Sequence, residues 1–258
     1  MRANRGTGHL SISVSTMRTD PGVWRPVGSD EKRPYIQRLF TDIAPRYDWF
    51  NRLASCGFDA RWRAAALRWA QLEPTHTVLD VCTGTGDLAL LAVRRQGGQG
   101  HVVGIDMNGA MLHWACHKAE RQAARIGWIQ ADAEALPFPT GSFDRVLIGF
   151  STRNLTNLMA GIREMVRVLR PGGQLVILET GRPANPLVRW GHQLFLMTGA
   201  RIIGLFLTGR LWPFTYLARS VQTFLSPDAF REHLQRAQTT VQYVPLSHGL
   251  ASLYIATK

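Results

Sequence analysis

The sequence predicts an α/β domain in which a doubly wound parallel sheet is covered by helices on both faces. Three observations carry that prediction. Short apolar runs alternate with helical segments between Thr77 and Glu179. A tight Gly84-Thr85-Gly86 turn follows the first run and opens a helix-forming stretch. Carboxylates stand on or beside the ends of the first three runs, at Asp80, Asp106 and Asp132. Ligands of such sheets bind at those ends.

A chain of 258 residues is long enough for one substantial domain with a full core. Residues 1–33 are rich in Arg, Ser, Thr, Gly and Pro, without apolar periodicity, and are expected to form a disordered leader. The stretch lacks acidic residues before Asp20, as a transit peptide would. Residues 34–258 form the expected domain. Ile36, Leu39, Phe40, Ile43 and Ala44 fall on one face of a first helix from Pro34. A second helix over about 59–70 follows, and the pair predicts a helical cap at one end of the sheet. Strands are expected over 77–81, 102–106, 127–131, 145–150 and 175–179, with helices over 86–95, 110–125 and 158–169. Arg170-Pro171-Gly172-Gly173 stops the last helix and turns the chain into the fifth strand. Residues 185–218 then form an apolar, aromatic insert before two short strands at 241–244 and 250–256.

Composition narrows the class of protein. The chain is 45% hydrophobic and 19% charged, as a globular protein is, and no stretch supplies the ~18 uncharged apolar residues of a membrane span. Cys56, Cys82 and Cys116 show no paired spacing, which predicts reduced thiols in an intracellular compartment. The net charge of +12 sits on the flanks. Residues 76–180 carry ten basic residues against nine acidic, but residues 181–258 carry eight against two. A basic flank suits nucleic acid or an anionic membrane surface, or serves only for solvation. The aromatic, apolar character of 190–218 argues against nucleic acid.

The ends of the strands hold the candidate site. Gly84 and Gly86 allow a ligand to approach the backbone closely. Asp106, 20 residues beyond Gly86, can take both hydroxyls of a ribose, and Asp132 can accept from an exocyclic amine. A dinucleotide would set its pyrophosphate against the helix start, where Asp87 adds negative charge. Acidic surroundings suit a sulfonium and an ammonium better, so the residues favour S-adenosylmethionine over NAD. His113, Cys116 and His117 share a helix face but lack an acidic partner, and no metal is expected.

Several blocks then narrow the reading. Tyr47-Asp48-x-x-Asn51 with Ser55 and Trp62, Ala133-Glu134-Ala135-Leu136-Pro137-Phe138, Phe150-x-x-Arg153-Asn154, and Arg167–Gly173 continuing to Leu178-Glu179 resemble the ubiquinone/menaquinone biosynthesis C-methyltransferases. The resemblance runs from about Pro34 to Lys258 and implies the Rossmann-like, seven-stranded sheet of class I methyltransferases. It departs from that family at Asp59, usually His, at Gly149 and Gly181, usually Ser, and at Ala237-Gln238-Thr239, usually Ala-Gly-Phe.

The resemblance implies cofactor contacts from Asp80, Gly84, Thr85, Gly86, Asp106, Met107, Asp132, Ala133 and Gly149. It also implies methyl transfer to a ring carbon of a prenylated quinol. That carbon becomes nucleophilic when the neighbouring hydroxyl loses its proton. Arg153 would then stabilise the phenolate or orient a water, Asn154 would fix that geometry, and Tyr47 would close the cap over the cofactor. The apolar insert reads as a groove for the prenyl tail, a peripheral membrane anchor on a cytoplasmic enzyme, or a homodimer interface. Two alternatives stay open: another small-molecule or lipid methyltransferase of this fold, and a non-catalytic, membrane-associated subunit of a quinone-biosynthetic complex.

Overall fold

The computed structural model describes residues 29–209 and 212–258. Of the leader expected over residues 1–33, residues 1–28 lie outside the described residues, as do Arg210 and Leu211 of the apolar stretch, and residues 29–33 are helical rather than disordered. Helix α1 (Ser29–Ile43) begins before Pro34, which sits inside it. The expected first helix therefore extends five residues further back. Helices α2 (Tyr47–Ala54) and α3 (Phe58–Trp69) complete the cap and lead to strand β1 (Thr77–Val81).

The alternating part follows as α4 (Asp87–Arg95), β2 (His101–Asp106), α5 (Gly109–Arg121), β3 (Gly127–Gln130), β4 (Phe143–Gly149), α6 (Leu158–Val168) and β5 (Leu169–Thr180). The insert forms three helices, α7 (Pro186–Met197), α8 (Gly199–Thr208) and α9 (Trp212–Thr223). Helix α10 (Pro227–Gln235) and strands β6 (Thr240–Leu246) and β7 (Ala251–Thr257) close the chain.

The seven strands form one sheet in the order β3-β2-β1-β4-β5-β7-β6. Strands β1 to β5 are parallel, as expected, but β7 runs antiparallel between β5 and β6, so the sheet is mixed. The reason is local: β6 and β7 are joined by a short turn at Ser247–Gly249, and a connection that short can only reverse the chain. Arg170–Gly173 is also not the plain stop expected. It bulges within β5, where pairing with β4 jumps from Leu169 to Gln174, and Gly172 and Gly173 bond instead to Lys258.

Period-two alternation divides the strand side chains between two cores. Leu79, Val146, Ile148 and Ile177 pack under α6 and α10. Val78, Leu147, Val176 and Leu253 pack under α3 and α4, whose Ala65, Ala66, Ala89 and Ala92 let those helices lie close to the sheet. A third core is helical: Leu39, Phe50, Met111, Leu196 and Phe214 join α1, α2, α5, α7 and α9. This third core stands over the carboxyl ends of β1 and β4, where the strand order reverses. Two cavities lie between it and the sheet. Among the described residues, no helix is long and apolar enough to cross a membrane.

Candidate active site

The first cavity is formed by the turn after β1, the ends of β2 and β4, and the inner face of α1. Gly84 and Gly86 both take positive φ, 57° and 83°. At Gly86 a side chain would also strike the Trp128 ring, at 2.8 Å, so glycine is required twice over. The fully buried Asp80 ties the turn together. Its Oδ2 accepts from Thr83 Oγ1 at 2.6 Å and from the Ala89 amide at 3.0 Å. Its Oδ1, in the wall of the cavity, has no hydrogen-bond partner. Burial pushes this carboxyl up to about 7.

Asp106 accepts from the Gly84 amide and the Asn108 amide, each at 2.8 Å. Burial raises its carboxyl above the ordinary range as well. Thr85, Met107, Ala133 and Gly149 line the same cavity. Gly149 also answers to packing, because a Cβ there would meet Leu88 at 2.8 Å. Asp132 differs from expectation. It is not among the cavity walls, and its carboxylate is held by Arg33 of α1 at 2.5 Å, with a second contact from Arg33 to Glu134 at 3.3 Å. Ala133 and Glu134 stand in the wall instead.

Asp87 belongs to a charged cluster behind the turn. Lys118 bridges it to Asp48, which lies 2.7 Å from the ammonium and accepts from Thr85 Oγ1 at 2.5 Å. Arg63, itself buried, reaches Asp87 at 3.4 Å and Asp59 at 2.5 Å. Burial opposes the charged form of Asp87, but Arg63 and Lys118 outweigh it and hold the carboxyl below the usual range. Asp59, where the resemblance led to an expected His, therefore anchors the arginine that steadies the Gly84–Gly86 turn.

The second cavity, of about 450 Å³, is mostly apolar and lies between α2, α7, α9 and the sheet. Phe40, Tyr47, Phe150 and Asn154 are walls of both cavities, so the two share one partition. Tyr47 and Asn154 thus stand on the same partition, and the Asn154 Oδ1 accepts from the Tyr216 hydroxyl at 3.1 Å. Arg153 also lines the chamber. Its guanidinium is paired with the buried Glu179, which accepts as well from Thr152 Oγ1 at 2.5 Å. Arg153 Nε is a buried donor without an acceptor, and Asn51, whose side chain hydrogen-bonds Tyr47, stands with Arg153 in the chamber wall.

Several site residues escaped the sequence reading. Arg33, Arg63 and Lys118 had no motif to mark them. His192 of α7 lies in the chamber wall, with its imidazole shifted down by burial, and was hidden in an apolar stretch. Cys82 and Phe150 adopt positive φ of 52° and 55° beside the partition, a backbone strain that side-chain type does not reveal. Burial pushes the Cys82 thiol up, as befits a packing residue.

An S-adenosylmethionine molecule fits the first cavity. The unpartnered Asp80 Oδ1 calls for a donor, the carboxylates of Asp80 and Asp106 have no basic partner and suit a cation and a ribose, and the turn carries no side chain at Gly84 or Gly86. Relatives of this chain agree with that chemistry. A demethylmenaquinone methyltransferase of Thermus thermophilus is 38% identical over 220 residues, 85% of this chain and all of that one. The ubiquinone/menaquinone biosynthesis C-methyltransferase UbiE of Geobacter sp. is 39% identical over 88% of this chain and 98% of its own length. A solved SAM-dependent methyltransferase from Aquifex aeolicus shares the fold, with TM-score 0.57 and 18% identity over 76% of this chain and 88% of that one. The sequence pattern of the ubiE/COQ5 methyltransferase family matches residues 27–258. That span takes in α1, both cavities and the insert, so the chain belongs to the ubiE/COQ5 methyltransferase family and is an S-adenosylmethionine-dependent methyltransferase.

Proposed function

We propose that this enzyme methylates a ring carbon of a prenylated quinol, either demethylmenaquinol or the methoxy-benzoquinol precursor of ubiquinone. The observation that carries the reading is a buried, unpartnered donor, Arg153 Nε, with the Asn51 amide near it in an otherwise apolar chamber beside the cofactor cavity. An aromatic ring bearing oxygens satisfies both demands at once. The names of the relatives, which specify demethylmenaquinone or ubiquinone/menaquinone synthesis, point the same way.

Bound in the first cavity, S-adenosylmethionine supplies an activated methyl carbon. Asp80 holds its ammonium and Asp106 its ribose, with Gly84, Thr85, Gly86, Met107, Ala133 and Gly149 shaping the bed. Asp132 acts at one remove, through Arg33 and the position of α1. Across the partition, Arg153 and Asn51 hold the acceptor oxygen and stabilise the phenolate charge in a dry site. His192, kept neutral by burial, accepts the hydroxyl proton, a role for which a guanidinium is unsuited. Tyr47 and Asn154 orient the ring at the partition.

The test is mass spectrometry of quinones from cells lacking the gene, beside turnover of each quinol by purified enzyme. Accumulation of one demethyl quinone, removed by complementation, is expected and names the branch. An unchanged quinone pool together with no turnover of either quinol would overturn the reading.

A further inference from the structure

We propose that the outward faces of α2, α7 and α8 form a docking surface for an anionic lipid bilayer, and that this contact seats the acceptor chamber against the membrane. The purpose of the surface rests on the quinol reading; its geometry does not. Of the twelve large apolar side chains exposed among the described residues, nine lie on these three helices. Leu187 is 75% exposed, Trp190 63% and Phe206 86%, and Trp49, Met197 and Ile202 are each more than half exposed. On α7 the exposed residues recur at 187, 190, 194 and 197, one face of a helix. The opposite face of α7 carries Val188, His192 and Phe195 into the chamber wall. Helix α7 is therefore apolar on both sides, a pattern that belongs to a helix covered on both sides. Helix α8 packs against both α2 and α7, so the three helices form one continuous layer.

Charge identifies the occupant. Between Glu179 and Asp228 the chain carries five arginines and no carboxylate. The three helices themselves carry Arg52, Arg189 and Arg201 against one carboxylate, Asp48, which Lys118 already holds, so a second copy docked across a two-fold axis would bring like charges together. An anionic bilayer supplies phosphates for the arginines and an apolar interior for Leu187 and Phe206. The indoles of Trp49 and Trp190 suit the boundary between the two. A lipid-dissolved acceptor would then pass from the membrane directly behind α7.

The test compares flotation of the full chain on vesicles of phosphatidylcholine alone and of phosphatidylcholine mixed with phosphatidylglycerol. The second sample is the Leu187→Glu/Phe206→Glu double variant, whose two sites lie outside both cavities. Wild type is expected to float with the anionic vesicles and to be released by salt. The variant is expected to keep its melting temperature and its turnover of a short-tailed, water-soluble quinol. It should lose flotation and about tenfold or more of turnover on a long-tailed quinol embedded in vesicles, the scale expected when partition into the bilayer is lost. Failure of wild type to float, or flotation of the variant like wild type, overturns the proposal. So does a wild-type dimer that ignores vesicles and that the variant splits into monomers. Wild type that floats but methylates neither quinol would instead remove the acceptor assignment and leave the docking surface standing.

Discussion

Asp80 is the residue at which donor binding and stability pull in opposite directions. Its folded carboxyl, pushed up to about 7 by burial, lies above the unfolded value near 3.9. The folded chain thus keeps a proton that the unfolded chain releases, so the contribution to stability is full below about pH 4 and is lost as pH rises towards 7. A cation beside Oδ1 favours the ionised form. Donor affinity is therefore expected to fall as pH drops below about 7, and calorimetry in buffers of different ionisation heat should register proton release. Asp80→Asn keeps an oxygen for Thr83 and Ala89 but removes the charge. Its melting temperature at pH 8 should hold or rise while donor affinity falls about tenfold or more, the loss of one charge-assisted contact. Arg153 needs a gentler substitution. Arg153→Ala strands the buried Glu179 carboxylate and should cost about 3–5 kcal/mol of stability. Arg153→Met paired with Glu179→Gln should stay folded and bind donor while turnover is lost, which separates chemistry from structure. For His192→Phe, kcat should fall about 10²–10⁴-fold and the acidic limb of its pH profile should vanish. A retained limb in that profile would remove His192 from the reaction.

Among the elements, the turn between β1 and α4 was the most legible from sequence, and α1 the least. The turn declares itself because Gly84, Gly86 and Asp106 act within 22 residues of each other, and the Gly84 amide to Asp106 bond is almost local. Gly86→Ala should destabilise the protein and weaken donor binding, since it adds strain at φ 83° to a clash with Trp128; trimming Trp128 to Leu should relieve only the clash. A thermal melt of the single and double variants checks this. The role of α1 could not be read in the same way. Arg33 meets Asp132 across 99 residues, and Asn108 Nδ2 donates to the Gln37 carbonyl across 71. No spacing rule links residues that far apart. Asp132 was therefore assigned to the cofactor by its place at a strand end, although its partner is a helix lying over the site. The pair Arg153–Glu179 was half visible: both residues stood in family signatures, but nothing in either signature showed that they face each other.

The whole molecule reads as a sheet with two covered faces and a helical roof over one end, and the roof is where function concentrates. The sheet was legible because period-two apolar runs encode burial directly. The antiparallel β7 and the three-helix insert were less so, since apolar residues alone do not say which face turns to protein and which away from it. Donor binding should tighten the roof more than the sheet. Hydrogen exchange with added S-adenosylhomocysteine is expected to slow at the amides of α1 and stay unchanged in β4 and β5. The partition formed by Phe40, Tyr47, Phe150 and Asn154 has a further consequence for turnover. The first cavity is covered by α1, latched in part by the half-exposed Arg33, whereas the second has mostly apolar walls. Salt screens the latch and strengthens apolar contacts. Rising ionic strength should therefore speed exchange of the donor and slow exchange of a soluble quinol, so that the slow step of the cycle changes hands along a single salt titration.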